Sequence, residues 1–170
     1  MRKLLPFAIS SLFTLPAIAA DLSLKVEVPR LNVAEYHRPY VAIWIERADQ
    51  SLAANLSVWY DLKKRDNEGA KWLKDMRQWW RRSGRDLAMP VDGISGATRV
   101  AGEHALHFFG DKNPMAKLPA GEYQLIVEAA REGGGREVVK VPFQWRAKGE
   151  QNLKAQGTNE LGVISLNLKS

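Results

Sequence analysis

The sequence predicts a mostly β protein, an immunoglobulin-like β-sandwich with one amphipathic helix inserted. Two features carry that expectation. Short runs rich in β-branched and aromatic residues recur between turn signals, and only one stretch of the 170 residues replaces alternation with apolar spacings of three and four.

The N-terminus comes first. Arg2 and Lys3 precede an apolar stretch from Leu4 to Leu15, followed by Pro16 and the small residues Ala17-Ile18-Ala19-Ala20. That order is a secretory signal peptide, and the stretch is shorter than the ~20 residues a spanning helix requires. Residues 1–20 are thus read as a leader cleaved near Ala19 or Ala20, and 21–170 as a single β-sandwich domain in the periplasm. No later run is apolar for long enough to span a bilayer, so no stable membrane insertion is expected. The chain contains no cysteine, which excludes a thiol-linked lipid anchor and leaves stability to an apolar core. Losing Arg2 and Lys3 lowers the net charge from +6 to +4, because two of 25 Lys and Arg leave and all 19 Asp and Glu stay. In an exported protein this points to anionic envelope surfaces or a bound phosphate rather than to nucleic acid, and it fits an ordinary soluble protein equally well.

From Asp21 to Pro29, Leu22, Leu24, Val26 and Val28 alternate with polar residues and define the first strand. Tyr40 to Glu46 follows Arg38-Pro39 as a second. Asn55 to Tyr60 is a third, with Leu56 and Val58 expected on one face, and Ala48-Asp49-Gln50-Ser51 joins the two as a hairpin. After Asp66-Asn67 the spacing changes. Trp72, Leu73, Met76, Trp79 and Trp80 would form one stripe of a helix capped by Asn67 and stopped by Ser83-Gly84, with Lys71, Lys74, Arg77 and Arg81 opposite. A loop from Arg85 to Ala101 leads back to strands at Glu103 to Phe109, Gly121 to Ala130, Glu137 to Trp145 and Leu161 to Leu168. Gly133-Gly134-Gly135 makes a hairpin of the second and third of these, and Lys148 to Asn159 reads as a polar connection.

The stretch that speaks to chemistry is Val91-Asp92-Gly93-Ile94-Ser95-Gly96-Ala97-Thr98, in the loop after the helix. It resembles the covalent flavin attachment motif, an Asp followed after two residues by Ser or Thr, Gly, Ala and Thr, of the FMN-binding domains in sodium-pumping quinone reductase and Rnf-type complexes. The resemblance implies that an FAD:protein FMN transferase joins FMN through its phosphate to the Thr98 hydroxyl, with Asp92, Ser95, Gly96 and Ala97 as the recognition motif. Gly96 and Ala97 would keep the loop slim enough to enter the transferase. The base and metal of that reaction belong to the transferase, so the acceptor chain needs no catalytic constellation of its own, and the flavin carries the redox chemistry. Trp79 and Trp80 are candidates to stack on the isoalloxazine, and Arg81, Arg82 or Arg99 to neutralise the phosphate. Arg99-Val100-Ala101 departs from the further Ser or Thr residues common after the motif. A plain turn, in which Ser95 binds backbone and Gly96 takes a conformation closed to other residues, accounts for the same loop without a flavin.

The mature chain as a whole resembles a family of predicted periplasmic proteins of unknown function. That likeness runs through Tyr40-Val-Ala-Ile-Trp44, Trp79-Trp80, Ser95-Gly-Ala-Thr98, Pro119-Ala-Gly-Glu-Tyr123, Glu128-Ala-Ala-Arg-Glu132 and Asn159-Glu-Leu-Gly162. It implies association with flavin transferases and PepSY-type membrane reductases.

Other chemistries fit less well. Gly93-Ile94-Ser95-Gly96-Ala97 nearly matches a hydrolase nucleophile elbow, but Ala97 occupies the last glycine position and the strand-turn-helix setting is missing. His104 and His107, three apart on a strand, point to opposite faces and cannot chelate together. The expectation is therefore a periplasmic electron carrier with covalent FMN on Thr98, rather than an enzyme with its own catalytic site. It would be loaded by the transferase, reduced by a membrane partner and oxidised by an extracytosolic acceptor such as metal ions or siderophores. The competing expectation is a non-redox binding or assembly module whose Thr98 stays unmodified.

Overall fold

Alternation in the first strand has the consequence expected of it. In β1 (Asp21–Val28), Leu22, Leu24, Val26 and Val28 are buried on one face while Asp21 and Lys25 remain in solvent. The computed structural model describes residues 20–169, so the leader reading lies outside the described residues except for Ala20, which is buried in the core. Eight further strands follow: β2 (Tyr40–Arg47), β3 (Leu52–Tyr60), β4 (Ser95–Ala97), β5 (Gly102–Phe108), β6 (Gly121–Ala130), β7 (Arg136–Trp145), β8 (Gln151–Gln156) and β9 (Val163–Lys169). A four-stranded sheet in the order β5-β1-β9-β8 faces a five-stranded sheet in the order β4-β3-β2-β6-β7. Every pairing is antiparallel except that of β4 with β3.

The inner faces of the two sheets make the main core. Leu22, Leu24 and Val26 meet Ile43, Leu125, Val127, Phe143, Trp145, Ile164 and Leu166 there. The larger sheet is covered on its other face too. Ala42, Trp44, Val58, Tyr60 and Ile126 pack beneath Leu73, Met76 and Trp79. Two-sided burial explains why β2 reads as an unbroken apolar run rather than as an alternating one. Hydrophobic burial of this kind is the dominant favourable term in a chain with no disulfides.

Four local expectations are corrected. The predicted single helix is two pieces. Arg65–Asp75 winds as a 3-10 segment interrupted by left-handed backbone at Asp66 and Asn67, and α1 is limited to Arg77–Arg82 after a break at Met76. Within the 3-10 segment Ala70 and Leu73, three residues apart, face the outer cluster, which Met76 at the break and Trp79 in α1 continue, whereas Trp72 falls off that face and is 48% exposed. Asn67 does not cap a helix, since its φ is +55° and its side-chain amide donates to the Met89 carbonyl at 3.2 Å. Leu56 and Val58 do not share a face. Leu56 is a bulge, skipped in the register where Ile43 faces Ser57 and Trp44 faces Asn55, so it enters the main core while Val58 joins the outer cluster. Lys148 to Asn159 is not merely a connection. Its residues 151–156 form edge strand β8, whose inward side is only half-buried and offers just Leu153 and Ala155 to the core, too little apolar signal for a strand to be read.

Candidate functional site

The stretch from Val91 to Thr98 is positioned by the free edge of β3. The Val91 amide donates to the Ser95 hydroxyl at 2.8 Å, and the Ser95 amide returns a bond to the Val91 carbonyl at 3.0 Å, closing a tight turn. Gly93 at its tip has φ +77°, a backbone state favouring glycine. The Ile94 carbonyl then accepts the Val58 amide at 2.7 Å, and Ser95, Gly96 and Ala97 run parallel to Val58, Trp59 and Tyr60 as β4. A stretch expected to be loop is thus partly strand, three residues long.

Gly96 lies on the indole of Trp59. A Cβ there would stand 3.3 Å from Trp59 Cδ1, so the glycine serves close approach, while the positive φ belongs to Gly93. The chain leaving the motif is fixed against the same indole. The Arg99 guanidinium sits 5.4 Å from the Trp59 ring centre, and His104 meets that ring edge-on at 5.7 Å while its Nε2 bonds the Val100 carbonyl at 2.8 Å. Beneath the loop the Tyr60 hydroxyl is buried without a hydrogen-bond partner of ordinary geometry. Burial raises its pKa, and the Ser95 side chain opposes the rise.

Thr98 follows the last paired residue and is half-buried, and it lines a cleft of about 790 Å³. That volume is within the range of roughly 300–1,000 Å³ common for small-molecule and cofactor sites. Tyr40, Trp72, Arg77 and Arg136 share the lining with Thr98, as do Arg38, Arg131, Asp61, Asp75 and Glu132. Two of the arginines are already committed. Arg131 makes a two-pronged bond to Glu160 at 2.8 and 3.0 Å, and both side chains are buried, an arrangement that raises the arginine's pKa further. Arg136 binds Glu128, whose fully buried carboxylate also accepts the Gln78 and Trp79 amides at 3.0 and 2.7 Å and so anchors the start of α1. Arg38 and Arg77 have no ion-pair partner among the described residues. Tyr40 is pushed up to about 12 by burial, with the carboxylate of Asp61 adding to the shift, and stays a neutral phenol.

Residues 21–163 match the family described as predicted periplasmic protein, DUF2271. The chain belongs to that family. No curated protein and no solved structure matches it. The DUF2271 description gives the periplasm as the location, and among the described residues no helix is long and apolar enough to cross a membrane.

In this DUF2271 domain the tryptophans singled out by sequence part company. Trp79 is completely buried, with its indole N–H on Asn55 at 3.0 Å and its ring against Gly84, where any Cβ would stand 2.5 Å from the indole. Trp80 is half-buried in a neighbouring groove with Lys74, Arg77, Arg81 and Arg136. Neither lines the cleft that holds Thr98. Arg82 is engaged with Glu46 at 3.2 Å and Gln50 at 2.9 Å. Trp72, passed over by the sequence as a stacking residue, is the tryptophan that lines the same cleft as Thr98. Its signal was the spacing of three, which leaves it out of the buried face. His104 and His107 point to opposite sides of β5, the latter bonding Ser23 at 3.0 Å, and among the described residues no cluster of acidic residues and histidines suits a metal ion.

Proposed function

We propose that this periplasmic protein is an electron carrier whose FMN is attached to Thr98 by an FAD:protein FMN transferase. The observation that carries the reading is the position of Thr98. The acceptor residue of the Asp92-Gly-Ile-Ser-Gly-Ala-Thr98 motif opens onto the cleft of about 790 Å³, between a fixed strand and a fixed Arg99. In the attachment step the Thr98 oxygen forms a bond to the FMN phosphorus of FAD. The pyrophosphate bond breaks, AMP leaves, and the hydroxyl proton passes to the transferase. Asp92, Gly93 and Ala97 are exposed and available for recognition.

Bound there, the flavin supplies one- and two-electron chemistry at a site that otherwise has no redox group. The chain's own contribution is to hold and enclose. Ser95 and Gly96 rigidify the attachment strand, and Arg38 and Arg77 offer positive charge to the phosphodiester. A PepSY-type membrane reductase as donor, and a metal-ion or siderophore acceptor, complete the proposed route.

The test is intact-protein mass spectrometry after export in the presence of the transferase, with peptide mapping of residues 92–98. An FMN-sized increase on Thr98, lost in Thr98→Ala while the fold is unchanged, is the expected result. An unmodified mass, with a control substrate modified in parallel, would favour the non-redox binding or assembly module, for which Thr98 is only the residue after an edge strand.

A further inference from the structure

Resting on the flavin reading, we propose that the cleft beside Thr98 seats the isoalloxazine ring, and that Trp72 is the aromatic face against which it stacks. Of the six tryptophans, Trp44, Trp59, Trp79 and Trp145 are at most 1% exposed and belong to the two cores. Trp80 is half-buried in a different groove. Trp72 alone combines a place in the Thr98 cleft with 48% exposure, so a large apolar surface faces water in the cleft that the proposed attachment point lines.

A tryptophan lining a cleft of this volume offers a large flat apolar face of the kind on which aromatic rings stack. Its exposure is built in. Ala70 and Leu73, three residues apart on the 3-10 segment, face the outer cluster, and this turns Trp72 outward. Arg77, without an ion-pair partner among the described residues, stands in the same cleft as a cation for the phosphodiester, while Asp61, Asp75 and Glu132 keep the lining from being uniformly positive. Tyr40, held as a neutral phenol, adds a second aromatic wall.

The experiment uses the exported, transferase-treated wild type with Trp72→Ala, Trp72→Tyr and Trp80→Ala. Mass spectrometry first establishes the FMN load of each, and far-UV circular dichroism its fold. Flavin fluorescence is then compared at equal load, since an indole stacked on the ring quenches its emission by electron transfer. The expected result is quenched emission in the wild type and Trp80→Ala, recovery toward the emission of free FMN in Trp72→Ala, and retained quenching in Trp72→Tyr. Equal quenching in all four loaded proteins, or recovery in Trp80→Ala instead, overturns the Trp72 seat and leaves the carrier intact. Absence of FMN from all of them, with a control substrate modified, overturns both.

Discussion

Glu137 shows how much a single side chain can hold. Its carboxylate accepts the Thr158 amide at 2.6 Å, the Thr158 hydroxyl at 2.9 Å, and the Asn159 and Leu161 amides at 3.0 and 2.9 Å, fixing the turn between β8 and β9. Burial pushes its pKa up, but the amides of Thr158, Leu161 and Asn159 outweigh that and leave it below the ordinary value of 4.5. A carboxyl depressed in the folded state stabilises fully above its unfolded pKa, and the contribution is lost as pH falls through the folded pKa. Glu137→Gln is therefore expected to cost about 1–3 kcal/mol at neutral pH, and to flatten the acid side of the melting-temperature profile, measured by thermal melts from neutral pH to below the ordinary glutamate value. At this scale the sequence displayed the motif letters but not their duties. Gly93 and Gly96 look alike in a string, and only packing reveals that one supplies a positive φ and the other room for Trp59. Trp72 and Trp79 were likewise indistinguishable, because a stripe spaced by threes and fours does not say which winding will select from it.

At the scale of elements, the strands with alternating or continuous apolar runs are legible to within three residues at their ends, since their pattern is set by the faces they bury. The pieces that escaped are those whose structure depends on partners distant in sequence. β4 exists because the β3 edge offers the Val58 amide to Ile94, and β8 because β9 offers a ladder to a largely polar segment. The short α1 is a third case. With no side-chain cap next to it, the free amides of Gln78 and Trp79 are met by Glu128, fifty and forty-nine residues away on β6. Glu128→Ala removes that acceptor and leaves Arg136 without its buried partner. Arg136 is exposed and is resolvated by water, so the expected loss is set by the two amides left without an acceptor, about 1–3 kcal/mol each at most, read from denaturant melts, and Glu128→Gln, which keeps an acceptor, should lose less.

For the whole molecule, the outer cluster turns a two-sheet sandwich into three layers, and the larger sheet is common to both cores. Trp44 and Trp79 belong to the outer core, Trp59 and Trp145 to the inner one. Because β2, β3 and β6 contribute to both, neither core can be lost while the other keeps its floor, and a single transition is expected. Tryptophan emission and far-UV circular dichroism should trace the same denaturant midpoint in the wild type. Separate midpoints would mean that the segment from Arg65 to Asp86 detaches first. The three-residue strand before Thr98 has a further effect at this scale, on contacts between molecules. It occupies the hydrogen-bonding edge of β3 opposite Val58–Tyr60, where an open strand would invite pairing with another chain. On the proposed flavin reading, a transferase that drew residues 95–97 away to reach Thr98 would lay that edge bare for as long as it held them, and self-association would have to be prevented at that same step.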